Sequence, residues 1–214
     1  MNNYKIVFMG TPDFGIPSLN ELYKQGYEVE AVYTQPDRVN KRGNKVQFSA
    51  VKQFALEHDI TIYQPNSLKD EKELDVLRAL NPDLIIVIAY GKILPQAVLD
   101  IPKYGVINVH ASLLPKYRGA APVQRSIIDG EETTGVTIMQ LDAGMDTGNI
   151  IAEKSVFITP HMTSEDLFDV LSNVGAKLLI DVLDDLPAKL AASVKQDESK
   201  ATYAEKLTKE MGHI

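Results

Sequence analysis

Residues 84–89 read LIIVIA, six apolar residues in a row that follow Asn81 and Pro82 and run into Tyr90 and Gly91. A strand with one wet face alternates apolar and polar residues, whereas a strand covered on both faces reads as a continuous apolar run. This stretch is therefore read as a strand of a parallel sheet with helices on each side. Working outward, residues 4–9 (YKIVFM, before Gly10) and 29–34 (VEAVYT) are predicted strands. Helical spacing lies between them around Leu19, Leu22 and Tyr23 and ends at Gly26. Residues 50–57 and 71–80 are predicted helices, the second stopped by Asn81 and Pro82, with a short strand at 60–63. Further on come strands at 105–110 and 135–141 (GVTIMQL), with a helix at 122–129 between them. Residues 150–156 pair back across the turn MDTGN. The strongest helix is predicted at 163–186, where Leu167, Leu171, Val174, Leu178 and Val182 form a stripe and Thr163 with Asp166 imitates a capping box. Strands alternating with helices give an α/β fold, a doubly wound, mostly parallel, Rossmann-like sheet, whose ligands sit at the carboxyl ends of its strands.

At 214 residues, 44% hydrophobic and 24% charged, the chain suits one substantial globular domain. Residues 1–189 are read as that domain and 190–214, polar and weakly periodic, as a linker or closing segment. The opening MNNYKIVFMG lacks the basic and long apolar regions of a signal peptide. No run approaches the ~18 apolar residues of a membrane span, so a cytoplasmic protein without membrane attachment is expected. The absence of cysteine excludes disulfides, thiolate metal sites and thiol nucleophiles. A net charge of -7 argues against nucleic-acid binding by the whole surface but leaves room for a local basic patch.

GTPDFG, residues 10–15, follows the first strand, but Ile16 and Pro17 stand where a Walker loop needs Lys and Ser or Thr, and Pro12 occupies a dinucleotide-fingerprint glycine. What remains is a tight strand-to-helix turn, either near a substrate or purely structural. The loop QPDRVNKRGNKVQ (residues 35–47) carries Arg38, Lys41, Arg42 and Lys45 with Asp37 as its one acid. On composition alone it is more simply a solvated loop than an anion contact. His58, His161 and His213 sit apart from one another, and Gly144 in LDAGMDTG stands where a calcium loop wants an oxygen ligand, so no metal site is expected. His110 differs because of its company. Asn108 and His110, two apart on a strand, point to one face. Asp142 and Asp146 lie in a Gly-rich loop that the topology brings to the same rim. Such a group offers donors to a developing oxyanion and an acceptor for a proton, although a lone strand histidine is more often a satisfied core residue. With no Cys, and Ser112 outside any G-x-S-x-G elbow, direct transfer in a ternary complex is the chemistry these residues allow.

NVHASLLPKYRGAAP (108–122) followed by TGVTIMQLDAGMDTGNII (134–151) resembles the formyltetrahydrofolate-dependent formyltransferases. GTPDF, QPDR with RGNK behind it, and RGAAPVQ resemble the family's tRNA-acting branch rather than its glycinamide ribonucleotide branch. The resemblance covers roughly residues 4–207. It implies transfer of a formyl group from N10-formyltetrahydrofolate, as co-substrate and without a metal, to the α-amine of initiator methionyl-tRNA, by a monomer. The catalytic residues it implies are Asn108, His110 and Asp146. Folate contacts are implied at Ser112, Leu113, Leu114, Pro115, Ile86, Ile88, Tyr90, Gly91, Leu141 and Asp142. It also turns the basic loop into an expected tRNA contact through Arg38, Lys41, Arg42 and Lys45, although Val39, Asn40 and Lys41 depart from the family's commoner small residues there. The tRNA-acting enzymes continue into an OB-like barrel domain that this sequence does not contain. The same fold also serves formyltransferases of nucleotide-linked amino sugars, and a folate- or RNA-binding module without turnover is a third alternative.

Overall fold

A computed structural model describes residues 4–39 and 46–208. In chain order its elements are β1 (Lys5–Gly10), α1 (Ile16–Lys24), β2 (Glu28–Tyr33), β3 (Arg38–Val39), β4 (Val46–Gln47), α2 (Ala50–Glu57), β5 (Thr61–Tyr63), α3 (Glu71–Leu80) and β6 (Leu84–Ile88). There follow α4 (Gln96–Leu99), β7 (Val106–His110), β8 (Arg118–Gly119), α5 (Pro122–Ile128), β9 (Thr133–Gln140), β10 (Ile150–Phe157), α6 (Ser164–Leu183), α7 (Leu186–Ala191) and β11 (Tyr203–Ala204). The central sheet has the order β10-β9-β7-β6-β1-β2-β5. Its five strands from β7 to β5 run parallel, and β9 and β10 are antiparallel. From β1 the chain winds first toward β2 and later returns on the other side as β6. That reversal opens a crevice at the carboxyl ends of β1 and β6, where a doubly wound sheet binds its ligand.

All five residues of β6 are buried, as its unbroken apolar run demands. Leu84, Ile86 and Ile88 join a core with residues of α1, α2 and α6 such as Leu19, Phe54 and Leu171. Ile85 and Val87 join the opposite core, with Leu74 and Leu77 of α3 and Val98 of α4. The same parity holds along β7, where Ile107 and Val109 face the α6 side and Val106 the other. Asn108 and His110 therefore share the α3 and α4 side, and the strand delivers both to its end.

The long helix α6 opens with a true capping box: the Thr163 hydroxyl accepts from the Asp166 N–H at 3.1 Å and the Asp166 carboxylate from the Thr163 N–H at 2.9 Å. Its buried face is shifted from the predicted stripe and runs through Leu167, Leu171, Gly175, Leu179 and Val182, leaving Val174 and Leu178 only partly buried. Gly175 explains the shift. A Cβ there would lie 2.9 Å from Val109 Cγ1, so glycine lets the helix sit directly on the sheet. The helix stops at Leu183, and a separate turn of helix, α7, restarts with Pro187 at its N-terminus. α4 and the pairs β3–β4 and β8–β11 were not expected, being too short to show periodicity. Among the described residues no helix is long and apolar enough to cross a membrane.

Candidate active site

The carboxyl ends of β6 and β7, the loop joining β9 to β10 and the start of α5 enclose a cavity of about 670 Å³. Asn108 and His110 line it and are 8% and 6% exposed. The His110 Nε2 lies 2.9 Å from the Tyr117 carbonyl oxygen. A carbonyl only accepts, so this nitrogen carries a proton and the ring's other nitrogen is the one free to exchange one. That nitrogen, Nδ1, lies 3.8 Å from Asp146 Oδ2. The chain at Tyr117 is held at both ends. Its N–H donates to Thr202 Oγ1 at 2.9 Å, and its hydroxyl lies 2.9 and 3.0 Å from Asp129 Oδ2 and Glu131 Oε1, which share its one proton. Burial, then those two carboxylates, push the Tyr117 hydroxyl well above its ordinary value. The Lys116 ammonium, then the Tyr117 hydroxyl, hold Glu131 below its own.

Asp146 sits in the left-handed region at φ 55°, which Asp tolerates better than most residues. Its Oδ2 accepts the Gly119 N–H at 2.8 Å. The loop closes at its neck through Gln140 N–H to the Asn149 carbonyl at 2.9 Å, and Gly148 is required there because a Cβ would collide with the Gln140 carbonyl. Asp142 behaves differently. It is exposed, and its Oδ1 accepts from the Gly144 N–H at 3.0 Å and the Thr147 hydroxyl at 2.6 Å, so it ties the loop to itself. Of the two aspartates the sequence offered, Asp146 faces the histidine.

Tyr90, Gly91, Leu141 and Asp142 line the cavity. The turn after β6 is anchored from outside: Thr11 Oγ1 donates to the Tyr90 carbonyl at 3.0 Å, and Gln35 Nε2 donates to the carbonyls of Tyr90 and Gly91 at 3.1 and 3.2 Å. The Tyr90 ring points inward, and burial, then Glu73, pushes its hydroxyl up to about 12. Two expectations need correction. Ile86 and Ile88 are fully buried in the core under α1 and α6, and the strand's parity brings Val87 and Ala89 to the cavity instead. Ser112, Leu113, Leu114 and Pro115 do not line it either. Ser112 is buried with its hydroxyl donating to the Lys116 carbonyl at 2.6 Å, and the Leu114 N–H donates to Thr137 Oγ1 at 3.1 Å. This stretch turns behind His110 and delivers the Tyr117 carbonyl to it.

Sequence reasoning missed most of the apolar wall. Phe14, from the turn left open between substrate and structural roles, lines the cavity, with the Phe168 ring of α6 packed edge-on at 4.8 Å between centroids. Val123 of α5 completes that side. The signals were present, an aromatic in a tight turn and one at the head of a helix, but nothing in the sequence aimed either at the cavity. In the basic loop Arg38 is exposed and donates to Gln35 Oε1 at 3.3 Å, while Lys41, Arg42 and Lys45 lie outside the described residues. Asp37 is bonded to Lys52 and Gln64, which hold it below the usual carboxylate range.

A doubly wound sheet that presents an amide, an imidazole and a carboxylate at its rim, with apolar walls around them, is built to stabilise a tetrahedral oxyanion and move one proton, the requirements of acyl transfer to an amine. The formyl transferase family model matches residues 4–183, and the chain belongs to that family. Curated relatives narrow the match. The methionyl-tRNA formyltransferase of Caldanaerobacter subterraneus subsp. tengcongensis is 51% identical over 211 residues, 98% of this chain and 68% of that protein. That of Hydrogenovibrio crunogenus is 53% identical over 205 residues, 96% of this chain and 66% of that protein. Among solved structures, an N-formyltransferase from Helicobacter canadensis in complex with folinic acid and dTDP-3-aminofucose matches with a TM-score of 0.71 at 22% identity, covering 94% of this chain and 70% of that one, a likeness of fold.

Proposed function

We propose that this chain transfers the formyl group of N10-formyltetrahydrofolate to the α-amine of initiator methionyl-tRNA, as a cytoplasmic monomer. The observation that carries the reading is the convergence of Asn108, His110 and Asp146 on one cavity, in a chain half identical to enzymes named for that reaction. The cavity's size is that of a small-molecule site. Val87, Leu99 and Leu141 offer apolar walls for a flat pterin, and the fixed backbone at 89–91 offers an edge for its polar atoms. The amine attacks the formyl carbon, and the bond from that carbon to N10 breaks as the tetrahedral intermediate collapses, so that tetrahydrofolate leaves with a proton on N10 in place of the one the amine gives up.

The protein's own residues do the rest. Asn108 directs its side-chain amide at the oxygen on which negative charge develops. His110 keeps its Nε2 proton on the Tyr117 carbonyl and works through Nδ1, which takes the proton released by the attacking amine or, once charged, donates to the oxyanion. Asp146, fixed by the Gly119 N–H, holds the imidazole in that orientation and balances its charge. Arg38 and the basic residues 41, 42 and 45 are the proposed contacts to the tRNA backbone, a salt-sensitive contribution to acceptor binding.

Substituting the histidine tests this. His110→Ala is expected to lower kcat by about 10²–10⁴-fold, the range for removal of a general acid or base, while the formyl donor still binds. Near-normal turnover would overturn the assignment.

A further inference from the structure

Beyond α7 the chain looks like a polar tail, yet it contains a fully buried anchor. The chain pairs with the start of β10 through reciprocal backbone bonds between Ile150 and Val194, both 2.8 Å. It then runs beneath the catalytic loop and joins β8 as β11. Between these points Gln196 is 4% exposed and Arg118, opposite it, is 0% exposed. Gln196 Oε1 accepts from Arg118 Nε and Nη2 at 3.1 and 2.8 Å. Its Nε2 donates to the carbonyls of Asp146 and Gly148 at 2.9 and 2.7 Å. The two donors and two lone pairs of the amide are all used. Glu198 holds the outer edge of the guanidinium in a fork, at 2.9 and 2.8 Å.

These bonds close a ring around the catalytic carboxylate. Gln196 grips the Asp146 backbone on one side and Arg118 on the other, and the residue after Arg118, Gly119, gives its N–H to Asp146 Oδ2. Along β8 and the residue after it the N–H groups alternate. Those of Arg118 and Ala120 go to Thr202 and Ala204 of the tail, and that of Gly119 faces Asp146. Asp142 ties the loop to itself through the Gly144 N–H and the Thr147 hydroxyl, while the backbone carbonyls on either side of Thr147, those of Asp146 and Gly148, are held by Gln196. His110 Nδ1 and Asp146 Oδ2 are 3.8 Å apart, just beyond hydrogen-bond range, and positioning within a site decides rates steeply.

We infer that Gln196 is a positioning residue for the transfer reaction: it fixes the Asp146 carboxylate opposite His110 by tethering the backbone of residues 146–148 to the buried Arg118. The inference rests on the assignment of His110 and Asp146 to catalysis. Gln196→Glu separates positioning from mere support. It keeps an oxygen for Arg118, and indeed a charged one, but replaces the donor with an acceptor facing two carbonyls. If Gln196 only anchors Arg118, this variant is harmless.

We expect kcat to fall by about 10- to 100-fold, with the KM for the formyl donor within about threefold of the parent. The Gly119 amide should lose its protection from hydrogen exchange while the Arg118 amide keeps its own. Unchanged kcat, or reduced kcat with Gly119 still protected, would overturn the inference. Should Gln196→Glu not fold, Gln196→Ala is read by the same three measurements, and parental kcat or a protected Gly119 amide there overturns it equally. The parallel His110→Ala measurement separates the two levels. If it retains turnover, the catalytic assignment fails; if it loses turnover and Gln196→Glu does not, only the positioning role fails.

Discussion

Asp142 and Asp146 stand four residues apart in one loop, and the structure gives them opposite duties. Asp142 Oδ1 accepts from Gly144 and Thr147, whereas Asp146 turns inward toward His110 through a left-handed backbone. Asp146→Ala should therefore reduce kcat by about 10²–10⁴-fold. Asp142→Ala should act mainly through the loop's order, with a smaller loss in kcat; equal losses in a side-by-side kinetic comparison would contradict this division. The pairing of Asn108 with His110 was legible in the sequence because period two on a strand fixes a shared face. Which aspartate turns in was not legible from spacing, since it depends on one backbone angle, and only the family resemblance singled out Asp146. The misplacement of Ile86 and Ile88 has a related cause. An unbroken apolar run shows that a strand is covered on both faces and conceals which residues face which. Gln196 gave no signal at all, because a single glutamine in a polar stretch looks the same whether it is solvated or fully bonded.

Element by element, the long periodic segments were read nearly to their ends, α2 and α3 among them. The failures were short elements and one helix face. The stripe predicted for α6 counted only large apolar residues. The helix buries the line through Gly175, because the smallest residue allows the closest approach to β7 and β9. Its capping box, by contrast, was readable from Thr163 and Asp166 alone. Thr163→Ala should cost about 1 kcal/mol and lower Tm by roughly 2–4 °C for a domain of this size. kcat should be unchanged, since the cap lies away from the cavity. An unaltered thermal midpoint would show that the cap contributes nothing in this setting. β8 and β11, two residues each, escaped notice for want of length. Together they clamp the segment from Tyr117 to Ala121, which supplies both the carbonyl that holds His110 and the N–H that holds Asp146.

At the scale of the whole molecule, the sheet's winding creates the crevice, the β9–β10 loop closes one side of it, and the segment after α7 returns across the fold to fix that loop. The cavity belongs to no single element: its walls come from β6, β7, α5, α6 and the turn after β1. The doubly wound, mostly parallel class followed from strand and helix alternation, whereas the strand order and the return of the chain after α7 to the β9–β10 loop lay beyond what periodicity reveals. This assembly is proposed to move a formyl group to methionyl-tRNA. The most direct measurement is formyl transfer from N10-formyltetrahydrofolate by this chain, with methionyl-tRNA and a nucleotide-linked amino sugar as competing acceptors. Formylated methionyl-tRNA is the expected product, with turnover reduced about 10²–10⁴-fold in His110→Ala. Transfer to the sugar alone, or no transfer to either acceptor while the folate binds, would contradict it.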